Sequence, residues 1–218
     1  MGVPFISGHI ELNSMRRINR NFIFSVLRDP CLRVFSHYTY FAQRAEMAAF
    51  RDVPEVRRFA GLSFAAAAAE LTPNTMARLL IGDHLGPGRF ARLAALPPGS
   101  PLSAADLGAI DAALKRFDRI YAGPLDRIAA DVAALAGVPA PPVQRVRESR
   151  SSGEIEIGCG EEEFRALLFA HTWLDAVVME RARALFGAFI PEGPMTPDAA
   201  VEQIRARYRL RFPPRAGG

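Results

Sequence analysis

The fold is decided by residues Phe22 to Phe41, FIFSVLRDPCLRVFSHYTYF. The run FIFSVL is short, apolar and rich in aromatic residues, which is typical of a buried strand. The polar residues Arg28 and Asp29 end this run, and Pro30 follows. Because Asp is a favoured helix N-cap and Pro a favoured first helical residue, the sequence predicts a helix from Pro30 to Arg44. A strand, a tight turn and a helix form one half of a parallel α/β unit, whose turn lies where such sheets bind ligands.

The rest of the chain is predicted to be largely helical. A second short strand is expected at Arg119 to Ala122, and a surface loop at Gly86 to Pro101, where Gly and Pro are frequent. The segment from Arg145 to Gly160 is polar and shows no clear period. Further helices are predicted at Val53 to Glu70, Asn74 to Ile81, Ser103 to Leu114, Pro124 to Leu135, Glu161 to Phe186 and Pro197 to Tyr208.

The composition limits the class of protein. The 218 residues are 50% hydrophobic, which is enough to fill the core of one domain. No apolar run approaches the ~20 residues that a membrane span needs, and the N-terminus lacks the pattern of a secretory signal. The two cysteines fit no metal spacing and suit a reducing compartment. We therefore expect a cytoplasmic protein without a membrane span or a bound metal.

Arginine supplies almost all of the positive charge. Lys and Arg together number 27 against 23 Asp and Glu, and Lys115 is the only lysine. The planar guanidinium suits phosphate and sulfate ligands. These arginines are spread along the chain, whereas a nucleic-acid binder needs a clustered basic footprint. We therefore expect no nucleic-acid partner and interpret most arginines as solvated surface residues.

The turn after the first strand is the candidate binding site. A helix N-terminus offers unpaired amides and the positive end of the helix dipole to an anion. Arg28 can offer two parallel N–H groups to a phosphate, and Ser36 lies about two helical turns further on. On spacing alone the simpler interpretation is favoured, in which Arg28 pairs with an acid and Ser36 faces solvent.

The same stretch resembles the 3′-phosphate-binding segment of the sulfotransferases that use PAPS (3′-phosphoadenosine 5′-phosphosulfate). It is most similar to the branch with heparan sulfate 2-O-sulfotransferase and bacterial carbohydrate sulfotransferases. The residues that match the family pattern are Arg28, Asp29, Pro30, Arg33, Ser36 and Tyr38. The resemblance implies that Arg28 and Ser36 hold the 3′-phosphate of PAPS. The further cofactor-binding residues that it implies are Arg33 and, in a later loop, Arg147.

Other stretches of the chain are also similar to the family. Ser7-Gly8-His9 resembles a Gly-His element upstream of the strand, which implies that His9 is the catalytic base. The stretch Asn74 to Gly82 resembles the Asn-x-Gln-Thr-Arg-x-Leu-x-Gly helix of the family, with Met76 and Ala77 in place of Gln and Thr. Weaker similarities cover Tyr121 to Asp126 and Trp173 to Asp175.

The resemblance implies an α/β fold with a core like that of the P-loop NTPases. Its parallel sheet would be incomplete at the N-terminus, and its C-terminal part would be largely helical. We expect a single sulfotransferase-like domain over residues 1–218. Its parts are the 3′-phosphate-binding half of the core (1–45), a mostly helical remainder (46–212) and a disordered tail (213–218). Because an incomplete sheet exposes a strand edge that templates association, a homo-oligomer is also expected.

One part of the family pattern is absent. The family holds the 5′-phosphosulfate with a loop of Pro-Lys followed by Gly, Ser or Thr, and no Pro-Lys occurs in this sequence. Three explanations stay open: the chain is truncated at its start, another chain supplies the loop, or the protein is catalytically impaired. The leading hypothesis is transfer of a sulfuryl group from PAPS to a hydroxyl acceptor, expected to be a carbohydrate. The alternative is a non-catalytic or degenerate protein of the same fold.

Overall fold

A computed structural model describes residues 22–50, 52–140, 154–187 and 196–213. These residues form a mixed α/β structure that is mostly helical, with two small parallel sheets. The chain divides into two compact units. Of the described residues, the first unit holds 22–28, 75–140 and 174–187, and the second holds 29–50, 52–74, 154–173 and 196–213.

The elements follow one another along the chain in this order: β1 (Phe24–Leu27), α1 (Pro30–Ala45), a 3₁₀ turn (Ala48–Phe50), α2 (Pro54–Phe59), α3 (Phe64–Ala68), α4 (Thr75–Ala77), a π-helical segment (Arg78–Gly82), α5 (Asp83–Leu85), α6 (Pro87–Ala94), α7 (Ala104–Leu114), β2 (Arg119–Ala122), α8 (Leu125–Ala136), β3 (Glu154–Glu156), α9 (Glu161–Phe186), α10 (Pro197–Arg207) and β4 (Arg209–Arg211). Within the described residues, every helix is too short or too polar to span a bilayer.

The first unit contains the parallel pair of β1 and β2, the two predicted strands. The register places Leu27 opposite Ala122. Ile23 and Leu27 are buried, whereas Phe22 and Val26 are 38% and 40% exposed. Successive side chains of a strand point to opposite faces. The expectation that all of Phe22 to Leu27 is buried is therefore wrong for the face that carries Val26.

A helix occupies part of the loop that was predicted at Gly86 to Pro101. α6 begins at Pro87, directly after Gly86, whose φ of 76° is one that glycine adopts readily. Phe90 and Leu93 are buried and anchor one side of this helix. The loop prediction is wrong here because Gly86 and Pro87 mark the start of a helix.

The second unit is packed around aromatic side chains. Phe35 of α1 is 1% exposed, and its ring contacts the rings of Phe64, Phe164 and Tyr208. β3 and β4 pair in parallel in the same unit, with Ile155 opposite Leu210. Both strands lie in segments for which no strand is predicted, because three residues are too few to show a period of two.

The predicted helix over Val53 to Glu70 is interrupted. α2 ends at Phe59, and Gly61 then adopts a φ of 72°, which is outside the helical region. α3 begins anew after Ser63, whose Oγ accepts a hydrogen bond from the Ala66 N–H at 3.3 Å. Gly61 and the N-cap residue Ser63 therefore specify the break between the two helices. The alanine-rich composition of the segment gives no indication of it.

The other predicted helices are confirmed with small shifts of their bounds. α1, α7, α8, α9 and α10 all lie where they are expected, and α7 begins after Ser103, whose Oγ accepts from the Asp106 N–H. The helix at Asn74 to Ile81 is found as α4 followed by the π-helical segment. Residues 214–218 of the expected disordered tail lie outside the described residues.

Candidate functional site

The turn between β1 and α1 forms as the sequence predicts. β1 ends at Leu27, Pro30 is the first residue of α1, and Asp29 is its N-cap. The Asp29 carboxylate accepts a hydrogen bond from the Leu32 N–H at 2.9 Å. Burial raises the pKa of Asp29, while hydrogen bonds from the backbone amides of Leu32 and Cys31 act in the opposite direction.

These hydrogen bonds change how an anion can bind at the turn. The amides of Cys31 and Leu32 are occupied by Asp29, the Arg33 N–H donates to the Asp29 carbonyl at 2.9 Å, and Pro30 has no N–H. The expectation that unpaired helix amides receive the anion is therefore wrong at these positions. The amides of Cys31, Leu32 and Arg33 are therefore not available to a phosphate at this turn.

The described residues of the proposed cofactor set lie on and next to α1. Arg28 is exposed and lies in the first unit, at the end of β1. Arg33 and Ser36 are half-buried, lie in the second unit and are one turn apart on α1. Burial, followed by the positive charge of Arg33, lowers the pKa of His37. His9 and Arg147 lie outside the described residues.

Tyr38 matches the family pattern but is a core residue of the second unit. It is 2% exposed, and its hydroxyl donates to the carbonyl of Leu62 at 2.9 Å, with the Glu156 carbonyl at 3.4 Å. Burial, followed by the charge of Glu156, raises the pKa of Tyr38 to about 12. This side chain therefore connects the middle of α1 to the backbone of Leu62 within the core.

Cys31 and His37 both contact neighbouring side chains of the second unit. Cys31 is 2% exposed, and its Sγ lies 3.3 Å from Oγ1 of Thr172. His37 packs against the ring of Phe41, with ring centres 4.9 Å apart. Within the described residues, no three His, Cys, Asp or Glu side chains are grouped so that they could hold a metal ion.

The stretch from Asn74 to Gly82 contains a buried acid contact that sequence reasoning noted only through the weak similarity around Asp175. Asp175 of α9 is fully buried, and its carboxylate accepts from the Ala77 N–H at 2.7 Å and the Met76 N–H at 3.4 Å. It thus caps α4 in place of a local residue. Asn74, just before α4, is buried and has a φ of 51°.

We expect Asp175→Ala to lower the free energy of unfolding by about 3 kcal/mol, because two buried amides lose their acceptor and each unsatisfied group costs about 1–3 kcal/mol. Asp175→Asn is the matched control, since it keeps one acceptor oxygen and a similar volume, and we expect a smaller loss. Urea denaturation of the three proteins measures both changes. A loss for Asp175→Ala below about 0.5 kcal/mol would contradict the capping role.

No family model, no curated protein and no solved structure matches the chain.

Proposed function

We propose that the protein is a sulfotransferase that moves a sulfuryl group from PAPS to a hydroxyl acceptor, which we take to be a carbohydrate. The observation that carries this proposal is the local structure of the motif. A strand in a parallel pair ends at Leu27, Asp29 caps the following helix, and Arg28, Arg33 and Ser36 lie on either side of that cap. This is the arrangement that the resemblance implies for the 3′-phosphate-binding half of a P-loop-like core.

The chemistry of the proposed binding residues supports an anionic nucleotide as the ligand. The guanidinium of Arg28 offers a two-pronged donor to the 3′-phosphate, and the Ser36 hydroxyl offers one more. Arg33 adds positive charge on the same helix. Asp29 occupies the amides of Cys31 and Leu32, so in this proposal the side chains supply most of the binding. PAPS supplies the activated sulfuryl group when it is bound.

His9 completes the proposed chemistry. The acceptor oxygen attacks the sulfur, the bond between sulfur and the bridging oxygen of the 5′-phosphate breaks, and the proton of the hydroxyl passes to the imidazole of His9. Histidine suits this step because its pKa lies near neutral pH. Sulfuryl transfer resembles phosphoryl transfer, in which positioning and charge stabilisation supply most of the catalysis.

The free, buried cysteines Cys31 and Cys159 agree with the reducing cytoplasm that we propose as the compartment.

The second candidate is a non-catalytic protein that keeps the 3′-phosphate site. It is favoured by the lack of Pro-Lys in the sequence. Lys115, the only lysine, is exposed at the C-terminal end of α7, in the sequence Ala-Leu-Lys-Arg-Phe, and does not resemble the lysine of the phosphosulfate loop. Such a protein would bind the nucleotide weakly and transfer no sulfuryl group.

Calorimetry with adenosine 3′,5′-bisphosphate and AMP tests the proposed binding. We expect the bisphosphate to bind roughly tenfold tighter or more, because hydrogen bonds between charged groups contribute about 1.5–3 kcal/mol. Equal affinity for the two nucleotides, or no binding of either, would contradict both candidates. A transfer assay with radiolabelled PAPS and a mixed saccharide acceptor then separates them. Transfer that disappears in His9→Ala, with nucleotide affinity retained, supports the enzyme. Nucleotide binding without transfer supports the non-catalytic protein.

A further inference from the structure

The start of α1 carries much positive charge and a single carboxylate. Arg28 precedes the helix and Arg33 lies near its start, where the positive end of the helix dipole adds to their charge. Asp29 is the only acidic residue of β1, the turn and α1. Its half-buried carboxylate accepts hydrogen bonds from the amide of Leu32, at 2.9 Å, and from the amide of Cys31. A fixed negative charge therefore lies against the helix amides.

Capping alone does not require a charged residue at this position. Ser, Asn and Asp stabilise the start of a helix to a similar degree. In the same unit, α10 is capped by the neutral hydroxyl of Thr196, which accepts from the Ala199 N–H at 3.2 Å. Besides a modest interaction with the helix dipole, a carboxylate at the cap adds a full negative charge in the place where a bound anion would put its own. Two such charges at close range repel each other.

Free anions are affected by this carboxylate more than a nucleotide is. Unoccupied amides at a helix start bind inorganic phosphate and sulfate as readily as the phosphate group of a larger ligand. Asp29 belongs to the chain, so it occupies the amides without the loss of translational freedom that a free anion incurs on binding. A free anion must displace this carboxylate and then lie beside its charge. In the proposed site, the 3′-phosphate is bound by Arg28 and Ser36 and is also positioned by the rest of the nucleotide.

We propose that Asp29 is a specificity-determining residue of the proposed reaction, and that its carboxylate excludes inorganic phosphate and sulfate from the start of α1. The proposal rests on the proposed function, because the excluded anions are those that would compete with the 3′-phosphate of PAPS. Two effects contribute to the exclusion. The first is occupancy of the amides, which any capping side chain provides, and the second is repulsion, which only a charged cap provides.

Two substitutions of Asp29 separate these effects, with inorganic phosphate as the probe. Asp29→Asn keeps an oxygen that caps the amides and removes the charge, so the affinity for phosphate should rise roughly threefold or more. Asp29→Gly also frees the amides, so the affinity should rise roughly tenfold or more. Phosphate is titrated at constant ionic strength, and the NMR signals of the Cys31 and Leu32 amides report its binding. If Asp29→Gly does not fold, Asp29→Asn still tests the proposal, because it retains the cap.

A competition experiment gives a readout that a purely structural cap would not change. Calorimetry measures the affinity for adenosine 3′,5′-bisphosphate in an excess of inorganic phosphate, and again in chloride of the same ionic strength. The wild type should lose less than about twofold in affinity, because phosphate is excluded from the amides. Asp29→Gly should lose roughly fivefold or more, because a phosphate bound at the free amides repels the 3′-phosphate.

Glu46→Gln is the matched control for the loss of one negative charge. Glu46 is exposed and is the C-cap residue of α1. It lies about 25 Å along the helix axis from Asp29, which exceeds the Debye length of ~10 Å. Its substitution should leave both the affinity for phosphate and the competition unchanged. Equal gains in Asp29→Asn and Glu46→Gln would overturn the proposal. An unchanged affinity for phosphate in both Asp29 variants would also overturn it, since Asp29 would then be a helix cap only.

The preference between nucleotides separates this inference from the proposed function. Suppose that the Asp29 variants gain affinity for phosphate but the wild type does not distinguish adenosine 3′,5′-bisphosphate from AMP. This result would contradict the proposed function and support the exclusion of free anions by Asp29. A wild type that prefers the bisphosphate, with Asp29 variants that bind phosphate no better, would contradict the role of Asp29 alone.

Discussion

Gly158→Ala is expected to lower the free energy of unfolding by about 3 kcal/mol. A methyl group on Gly158 would place Cβ 2.2 Å from Oγ and 2.5 Å from Cβ of Ser63. Ser63 cannot turn away without cost, because its Oγ caps α3 at the Ala66 N–H. Overpacking of this kind costs about 1–3 kcal/mol. The φ of 76° at Gly158 adds about 1–2 kcal/mol for any residue with a side chain.

Gly61→Ala is the matched control for this effect. Gly61 lies in the same unit and has a similar φ of 72°, but a Cβ there would have no atom within 4 Å. It should therefore show only the backbone cost of about 1–2 kcal/mol. Urea denaturation of both variants measures the difference. If both variants lose the same free energy of unfolding, Ser63 moves aside at little cost and the close approach at Gly158 does not restrict the residue there.

Elements with a local start signal could be predicted from the sequence. α1 begins at Pro30 after Asp29, and α7 begins after Ser103, as their N-cap residues indicate. β3 and β4 could not be predicted, because their pairing joins Glu154 to Arg209 across 55 residues and each strand has only three residues. Pairing over such a distance leaves no periodic trace in either segment.

For the candidate site, the sequence predicts where its residues lie along the chain but not which distant residues they contact. Arg28 directly follows β1, Asp29 is the N-cap of α1 and Ser36 lies on α1, as the motif predicts. The role of Tyr38 could not be read in the same way, because the acceptors of its hydroxyl are 24 and 118 residues away. Asp175 is a similar case, since it caps an amide 98 residues away. Contacts between distant segments therefore decide which of the matched residues belong to the core, and such contacts leave no local pattern in the sequence.

The start of α1 also differs from an ordinary helix N-terminus, because some of its backbone amides are already hydrogen-bonded within the chain. Where helix amides hold a phosphate, removing one side chain leaves much of the binding intact. Here Asp29 occupies the amides of Cys31 and Leu32, so in the proposed site more of the binding would fall to side chains. The consequence is that single substitutions of these side chains should have unusually large effects on nucleotide recognition.

Arg28→Ala should therefore abolish the preference for adenosine 3′,5′-bisphosphate over AMP, a change of roughly tenfold or more in relative affinity. Ser36→Ala should reduce the preference less, because it removes one neutral donor. Arg28 is exposed, so its removal should leave the melting temperature almost unchanged and the loss can be assigned to binding. Arg127→Ala, at an exposed arginine of α8, is the control for loss of one positive charge in the same unit and should retain the preference. If Arg28→Ala keeps the full preference for the bisphosphate, the 3′-phosphate is bound elsewhere. If Arg127→Ala loses as much of this preference as Arg28→Ala, the preference depends on net charge alone.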